Sequence, residues 1–309
     1  MFPRPVCGLG LLNWSGMVYH EQNTRVTFVG FWRAMDNEYL ATGFTNVDQT
    51  QNKTAYFDCL TLIDSLPYYK EYKSKSYDLL DLKPGLVVLE AGCGLGDDAL
   101  RIAKRIIPGG KVIGLDASSA MIERARLNAR AFQLPVEFLV GDVKALPFSD
   151  GVISRCRIDR VLQHIPEPVR AVTELVRVLE PDGSLLAYDN DWESFSIMSS
   201  DIVTTRRIES LWRNSFVNSA IGRDLQSHFL AAGLTDVHRD PSHSIITDFE
   251  TADKIYNLRE TVQRAVEGGY ISAVQGRIWI DDLMNRSAES RFSVALRAYT
   301  VIGKKIIIK

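Results

Sequence analysis

Residues Val87 to Asp98 read Val-Val-Leu-Glu-Ala-Gly-Cys-Gly-Leu-Gly-Asp-Asp. A short apolar run, Leu86 to Leu89, closes on the carboxylate of Glu90. Gly92, Gly94 and Gly96 follow at alternate positions. Ala99 to Ile107 then carry apolar residues at helical spacing. The order is strand, glycine turn, helix, which opens a Rossmann-like α/β unit. Glycines at such a turn let the backbone bend sharply and approach a ligand closely.

The carboxylate narrows the choice of ligand. A dinucleotide sets its pyrophosphate over this turn, where helix N-terminal N–H groups favour anions. Glu90, with Asp97 and Asp98 just beyond the turn, repels such a group. S-adenosylmethionine (SAM) brings a cationic amino group and a cationic sulfur, and fits the same turn. An NAD(P)-dependent oxidoreductase is the enzyme alternative, and a SAM-binding protein without turnover is a third reading.

Two further strands end in acids. Lys111 to Asp116 is an apolar run closing on Asp116, placed to accept from both ribose hydroxyls. Val136 to Asp142 is another, where Asp142 and the Val143 N–H can read an adenine edge. Each acid alone reads equally as a turn or N-cap residue. Three of them on successive parallel strands point to a nucleoside.

Residues 45 to 305 resemble the class I SAM-dependent methyltransferases, in the broad group that includes the ubiquinone/menaquinone biosynthesis C-methyltransferases. The resemblance rests on VLEAGCGLGDD, GLDAS at 114–118, VGDVKALPF at 140–148, RVLQHIPEP at 160–168 and ELVRVLEPDGSLLAYDNDW at 174–192. It implies that Glu90, Gly92, Cys93, Gly94 and Gly96 line the methionine part of SAM. Asp116 would hold the ribose, Ala117 flank the adenine, and Asp142 with Val143 read its edge. Arg157, on the fourth strand, joins this cofactor set. Where the family usually carries Phe-Asp on that strand, this chain has Ile153-Ser154. The implied fold is a seven-stranded, mostly parallel Rossmann-like sheet with helices on both faces, a helical cap or lid and an antiparallel edge strand.

Composition is that of an ordinary globular protein. The chain has 309 residues, a 46% hydrophobic and 24% charged share, and a formal charge of −2. That charge and the missing basic stripe speak against a nucleic-acid partner. The Asn/Asp-Pro-Pro-aromatic string of base-methylating enzymes is also missing, since Arg157-Ile158-Asp159-Arg160 stands after the fourth strand. Cys7, Cys59, Cys93 and Cys156 show neither pairing nor metal-ligand spacing, so reduced thiols, no metal and a cytoplasmic location are expected. No apolar run is long enough to span a membrane, and no signal-peptide pattern opens the chain.

Three regions are expected. Residues 1–44 form a poorly defined extension that can be removed, with Met35 an internal candidate start. Residues 45–84 form an N-terminal helical cap with a tyrosine cluster. Residues 85–309 form the core, with helical insertions near 193–222 and 250–288. The fourth strand is read as Val152 to Arg157, the fifth as Ser184 to Asp189 after a Pro181-Asp182-Gly183 turn, and the last two as Thr235 to Ile246 and Arg291 to Ile302.

Ligands of such sheets sit beyond the carboxyl ends of the strands, where strand order reverses. The ends of the fourth and fifth strands therefore supply the acceptor site. His164 is the leading general base, with Asp189 and Asp191 as rivals. Tyr69, Tyr72, Arg160 and Trp192 are the substrate-binding candidates, with Arg160 also readable as a salt-bridge partner and Trp192 as a core edge. A small-molecule acceptor is favoured, of unspecified acceptor atom; oligomeric state is open.

Overall fold

The computed structural model describes residues 39–306. The expectation for residues 1–38 lies outside them. Seven strands form one sheet in the order β3-β2-β1-β4-β5-β7-β6. They are β1 Val87–Ala91, β2 Lys111–Asp116, β3 Val136–Val140, β4 Ile153–Asp159, β5 Leu179–Ile197, β6 Thr235–Ile246 and β7 Val294–Lys304. β1 to β5 run parallel. β7 lies between β5 and β6 and is antiparallel to both.

Strand alternation divides the side chains between two layers. Leu89, Ala91, Cys156, Ile158 and Ala187 face α6 (Pro168–Val178) and α8 (Ile221–Ala231), whose Leu175, Leu225 and Phe229 are buried there. Val88, Val112 and Phe138 face α4 (Asp97–Ile106) and α5 (Ser119–Ala129). The α4 amphipathy read from the sequence is real: Ala99, Leu100, Ile102, Ala103 and Ile106 are buried, while Lys104 and Arg105 fall in the last turn. There they complement the helix dipole. Ser118 caps α5, accepting from the Met121 N–H.

A third layer covers the strand ends. It contains α1 (Leu40–Gly43), α2 (Lys53–Ser65) and α3 (Pro67–Leu79). From later in the chain come α7 (Ile202–Arg213), α9 (Phe249–Tyr256), α10 (Leu258–Glu267) and α11 (Ala273–Ala288). Their apolar faces join Tyr188, Trp192 and Phe195 of β5 in one core. Gly268 and Gly269 lie between α10 and α11.

Three expectations need correction. The cap begins before residue 45. Tyr39, Leu40 and Ala41 are buried, and the Tyr39 hydroxyl lies 2.8 Å from Thr261 of α10. The segment lacks periodicity because α1 is a single turn, too short to show one. β5 does not stop at Asp189: it runs to Ile197, since Ser196 and Ile197 pair with Ala295 and Val294 of β7. Residues 193–197 are therefore strand rather than insertion helix. The Pro181-Asp182-Gly183 segment interrupts the pairing with β4 as an irregularity within β5. There Asp182 takes a left-handed φ of 62° and donates its N–H to Lys305.

Candidate active site

β1 and β4 are neighbours although β2 and β3 intervene in sequence, so the chain reverses its order of strand addition there. A cavity of about 620 Å³ opens at that point, within the size range of small-molecule sites. One end is built by the glycine turn. The N–H groups of Gly92 and Cys93 both donate to the Leu115 carbonyl, tying the turn to β2. Gly92 has a φ of 72°, and a Cβ there would lie 2.1 Å from a Val161 methyl. Gly94, at φ 50°, meets only Leu60 at 3.4 Å, so its backbone faces open space.

Acids surround this turn. Glu90, Cys93, Asp97, Asp98, Asp116 and Ala117 line the cavity, and Asp142 with Val143 lies at its rim. Asp116 accepts from the N–H groups of Gly94 and Ser118, each at 2.9 Å. Burial still raises its pKa above the usual carboxylate range. Glu90 is almost wholly buried. Its Oε1 accepts from Arg157 at 2.5 Å, while its Oε2 is buried with no partner among the described residues. Burial, reinforced by Asp98 and Asp159, raises the Glu90 pKa against the opposing pull of Arg157. An unbonded carboxylate oxygen in a cavity wall is costly unless a cationic donor reaches it.

Arg157 itself does not line the cavity, which corrects its assignment as a cofactor contact. It lies behind the wall, fully buried, bonded to Ser76 at 3.0 Å, Glu90 at 2.5 Å and Asp159 at 2.6 Å. It positions two acids rather than a ligand. A second cation was missed: Lys73, buried on α3, lies 2.9 Å from both Asp64 and Asp98. Arg101 closes the same group from α4. The signal was present. Tyr69, Tyr72, Lys73, Ser76 and Tyr77 lie at helical spacing on the buried face of α3, so a lysine there needs acids.

The other end is aromatic. Phe44, Tyr69, Trp192, Trp212, Phe216 and Tyr256 line it, together with Arg160, Gln163, His164 and Asn190. Trp192 stacks on Phe216 with ring centres 4.0 Å apart. Tyr69, Arg160 and Trp192 thus stand where the sequence suggested. Tyr72 does not: its hydroxyl bonds both Asp159 oxygens at 3.0 Å, and its ring stacks on Tyr188 at 3.8 Å. It holds Asp159 from outside the cavity.

Asp189 and Asp191 are also displaced from the site. Neither lines the cavity. Alternation along β5 turns Asn190 and Trp192 to the cap and the two aspartates to the opposite layer. Asp191 is buried and salt-bridged to Arg223 of α8 at 2.7 Å. Asp189 accepts from the N–H groups of Gln163 and Asn190, and burial pushes its pKa up to about 8. It pins the loop that carries His164.

His164 does line the cavity, but its bonding opposes a base role. The Trp192 indole N–H can only donate, and it donates to Gln163 Oε1 at 2.9 Å. Asn190 donates to the same oxygen at 3.2 Å. Gln163 Nε2 is thereby turned to His164 Nε2, 2.9 Å away, and must donate to it. The proton of a neutral imidazole then sits on Nδ1, and no ring lone pair is left to accept another. Burial, with Arg160 nearby, pushes the His164 pKa down to about 4. The ring is a neutral hydrogen-bond donor.

Asp48, in the 3-10 turn Val47–Gln49, joins cap to core. Its carboxylate accepts from Ser118 Oγ at 2.6 Å, Ser119 N at 2.9 Å and Ala120 N at 3.0 Å. These bonds lower its pKa to about 2, although partial burial acts in the opposite sense.

Comparison with known proteins accords with this architecture. A family model described as a methyltransferase domain matches residues 82–218. An uncharacterized 37.1 kDa protein in transposon TN4556 of Streptomyces fradiae is 37% identical over 255 residues, covering 82% of this chain and 71% of that one. A demethylmenaquinone methyltransferase of Bacillus cereus is 29% identical over 134 residues, 43% of this chain and 56% of that one. The chain belongs to the class I SAM-dependent methyltransferases. Among solved structures, this methyltransferase resembles the YcgJ protein of Bacillus subtilis, with a TM-score of 0.55 and 20% identity over 77% of this chain and 99% of that one. It also resembles a phosphoethanolamine N-methyltransferase 2 of Haemonchus contortus in complex with SAM, with a TM-score of 0.55 and 14% identity over 85% and 60% of the two chains. At such identities the likeness is one of fold. Among the described residues, no helix of this methyltransferase is long and apolar enough to cross a membrane.

Proposed function

We propose that this methyltransferase binds SAM across the glycine turn and methylates a small-molecule acceptor held in the aromatic end of the cavity. The observation that carries the reading is Glu90 Oε2, a buried carboxylate oxygen without a partner in the cavity wall among the described residues. A cationic amino group satisfies it. Asp116 would hold the ribose, and Asp142 with Val143 the adenine edge. Gly92, Gly94 and Gly96 supply backbone that a ligand can approach.

When bound, SAM supplies a methyl group already activated by a sulfonium charge. The acceptor contributes an electron pair to the new bond, and the sulfur keeps the pair of the broken one. The protein must then align acceptor and methyl and exclude water, which is where such sites gain most of their rate. Tyr69, Trp192, Phe216 and Tyr256 form the apolar walls for that purpose. Asp159, held by Tyr72 and Arg157, fixes the polar floor. With His164 a donor, deprotonation of the acceptor is not assigned to it.

Calorimetry with SAM, S-adenosylhomocysteine and NAD tests the reading. Both adenosyl compounds are expected to bind and NAD not to; NAD binding with no response to SAM would overturn it. Hydrogen exchange tests the cap. S-adenosylhomocysteine should slow exchange in residues 45–80 and 250–288 as well as at the turn. Slowing restricted to residues 85–145 would mean that the cap helices pack without closing over the acceptor.

A further inference from the structure

The charged lining differs between the two ends of the cavity. Around the glycine turn the lining is acidic: Glu90, Asp97, Asp98 and Asp116. In the aromatic end the charged side chains are Arg160 and Asp159. Asp159 is already committed. Its Oδ2 accepts from Arg157 at 2.6 Å, and both oxygens take the Tyr72 hydroxyl.

Arg160 is arranged differently from the other cavity cations. Lys73 is held by Asp64 and Asp98, and Lys144 lies at the rim near Asp142 and Glu167. Arg160 has one side-chain hydrogen bond, from Nε to Asp159 at 3.2 Å. Its two terminal nitrogens have no hydrogen-bond partner among the described residues. The guanidinium lies over the Tyr69 ring, 5.4 Å from its centre. The backbone holds a left-handed φ of 56°, fixed by an N–H bond of 2.7 Å to the Tyr188 carbonyl. A non-glycine residue is seldom held in that region, and such strain clusters at functional sites.

We propose that the acceptor is a planar molecule bearing a carboxylate, and that Arg160 is the residue that selects it. The inference rests on the SAM reading above. With Nε bound to Asp159, the paired terminal nitrogens form the fork that matches a carboxylate in two parallel bonds. The surrounding rings of Tyr69, Trp192 and Phe216 offer stacking faces for the rest of the molecule. His164, a neutral donor beside Arg160, adds no negative charge. The acids at the turn disfavour an anionic acceptor at that end.

Calorimetry with S-adenosylhomocysteine at saturation tests this, using salicylate and indole-3-acetate against their uncharged amides. Wild type should bind at least one carboxylate at least tenfold more tightly than its amide. Arg160→Gln should abolish that preference while leaving S-adenosylhomocysteine affinity unchanged, and Arg160→Lys should keep part of it. The proposal is overturned if acid and amide bind alike, if neither pair binds, or if the preference survives in the Gln variant. A wild-type protein that binds no S-adenosylhomocysteine overturns the SAM reading itself, and the proposal with it.

Discussion

The two ends of the cavity are made in different ways. The glycine-turn end is one continuous stretch plus the ends of two neighbouring strands, and much of its surface is backbone. The aromatic end gathers side chains from α2 and α3, β5, α7 and α9, far apart in sequence. The first is specified by local pattern and held by buried ion pairs. The second is specified by tertiary packing and held by aromatic contact. Perturbing the first should therefore cost stability and cofactor affinity together, and perturbing the second should change selectivity first.

The largest effect is expected at Arg157. Arg157→Met leaves Glu90 and Asp159 buried beside Asp98 without their shared cation. Removing one partner of a buried ionic group typically costs about 3–5 kcal/mol. Urea unfolding should show a loss of that order; a variant as stable as wild type would mean that the ion group does not hold this end together.

Next comes the cap. A chain beginning at Asn46 loses Tyr39 and Leu40, both buried against the α7 and α10 layer. Loss of large buried side chains typically costs about 2–5 kcal/mol. It should melt well below a chain beginning at Met35. Equal melting temperatures would make the cap independent of α1.

On the proposed SAM reading, Asp116→Ala removes a charged contact to the ribose, on the order of 1.5–3 kcal/mol, or roughly tenfold or more in SAM affinity. Unchanged calorimetric affinity in the folded variant would remove Asp116 from the site.

Asp189 gives a pH signature. Its folded pKa, about 8, lies above its ordinary value, so the folded chain holds the proton more tightly than the unfolded one. Its contribution is full below about pH 4 and is lost as pH rises through about 8. Wild type should lose stability steadily between pH 5 and 8 through this group. Asp189→Asn should flatten that slope; an unchanged slope assigns it elsewhere.

The smallest effect is expected at Asp48. It caps α5 from the cap layer, and losing an N-cap acceptor costs ~1 kcal/mol. Asp48→Ala should speed amide exchange at Ser119 and Ala120, and identical exchange would mean that the contact adds nothing.

Legibility followed the same division. β1, the glycine turn, β2 and the acids at 90, 116 and 142 could be read because strand period, turn chemistry and helix period all agree there. β6 could be read to the residue, Thr235–Ile246, since β-branched residues and turn signals bound it. Asp189, Asp191, Tyr72 and Arg157 could not be placed, because a run of polar residues at a strand end or on a helix does not say which face is which. Period-two alternation from Trp192 separates Asn190 from its neighbours once the strand is known to continue. The tautomer of His164 was out of reach of sequence altogether, since it depends on Trp192, Asn190 and Gln163 meeting in space.

β5 has a mechanical consequence. Its 19 residues run from the pairing with β4 to the wall beside Phe216. The aromatic wall residues Asn190 and Trp192 thus sit on one strand, which pairs with β7 from Ser184 to Asp191 and again at Ser196 and Ile197. Through β4 and β1 the same sheet carries the glycine turn, so the two walls are joined by strand pairing. Phe44 and Ile255 line the same cavity from outside the sheet. A re-shaped acceptor pocket is therefore expected to tolerate changes at Phe44 or Ile255 better than at Asn190 or Trp192, which the paired strand holds in place.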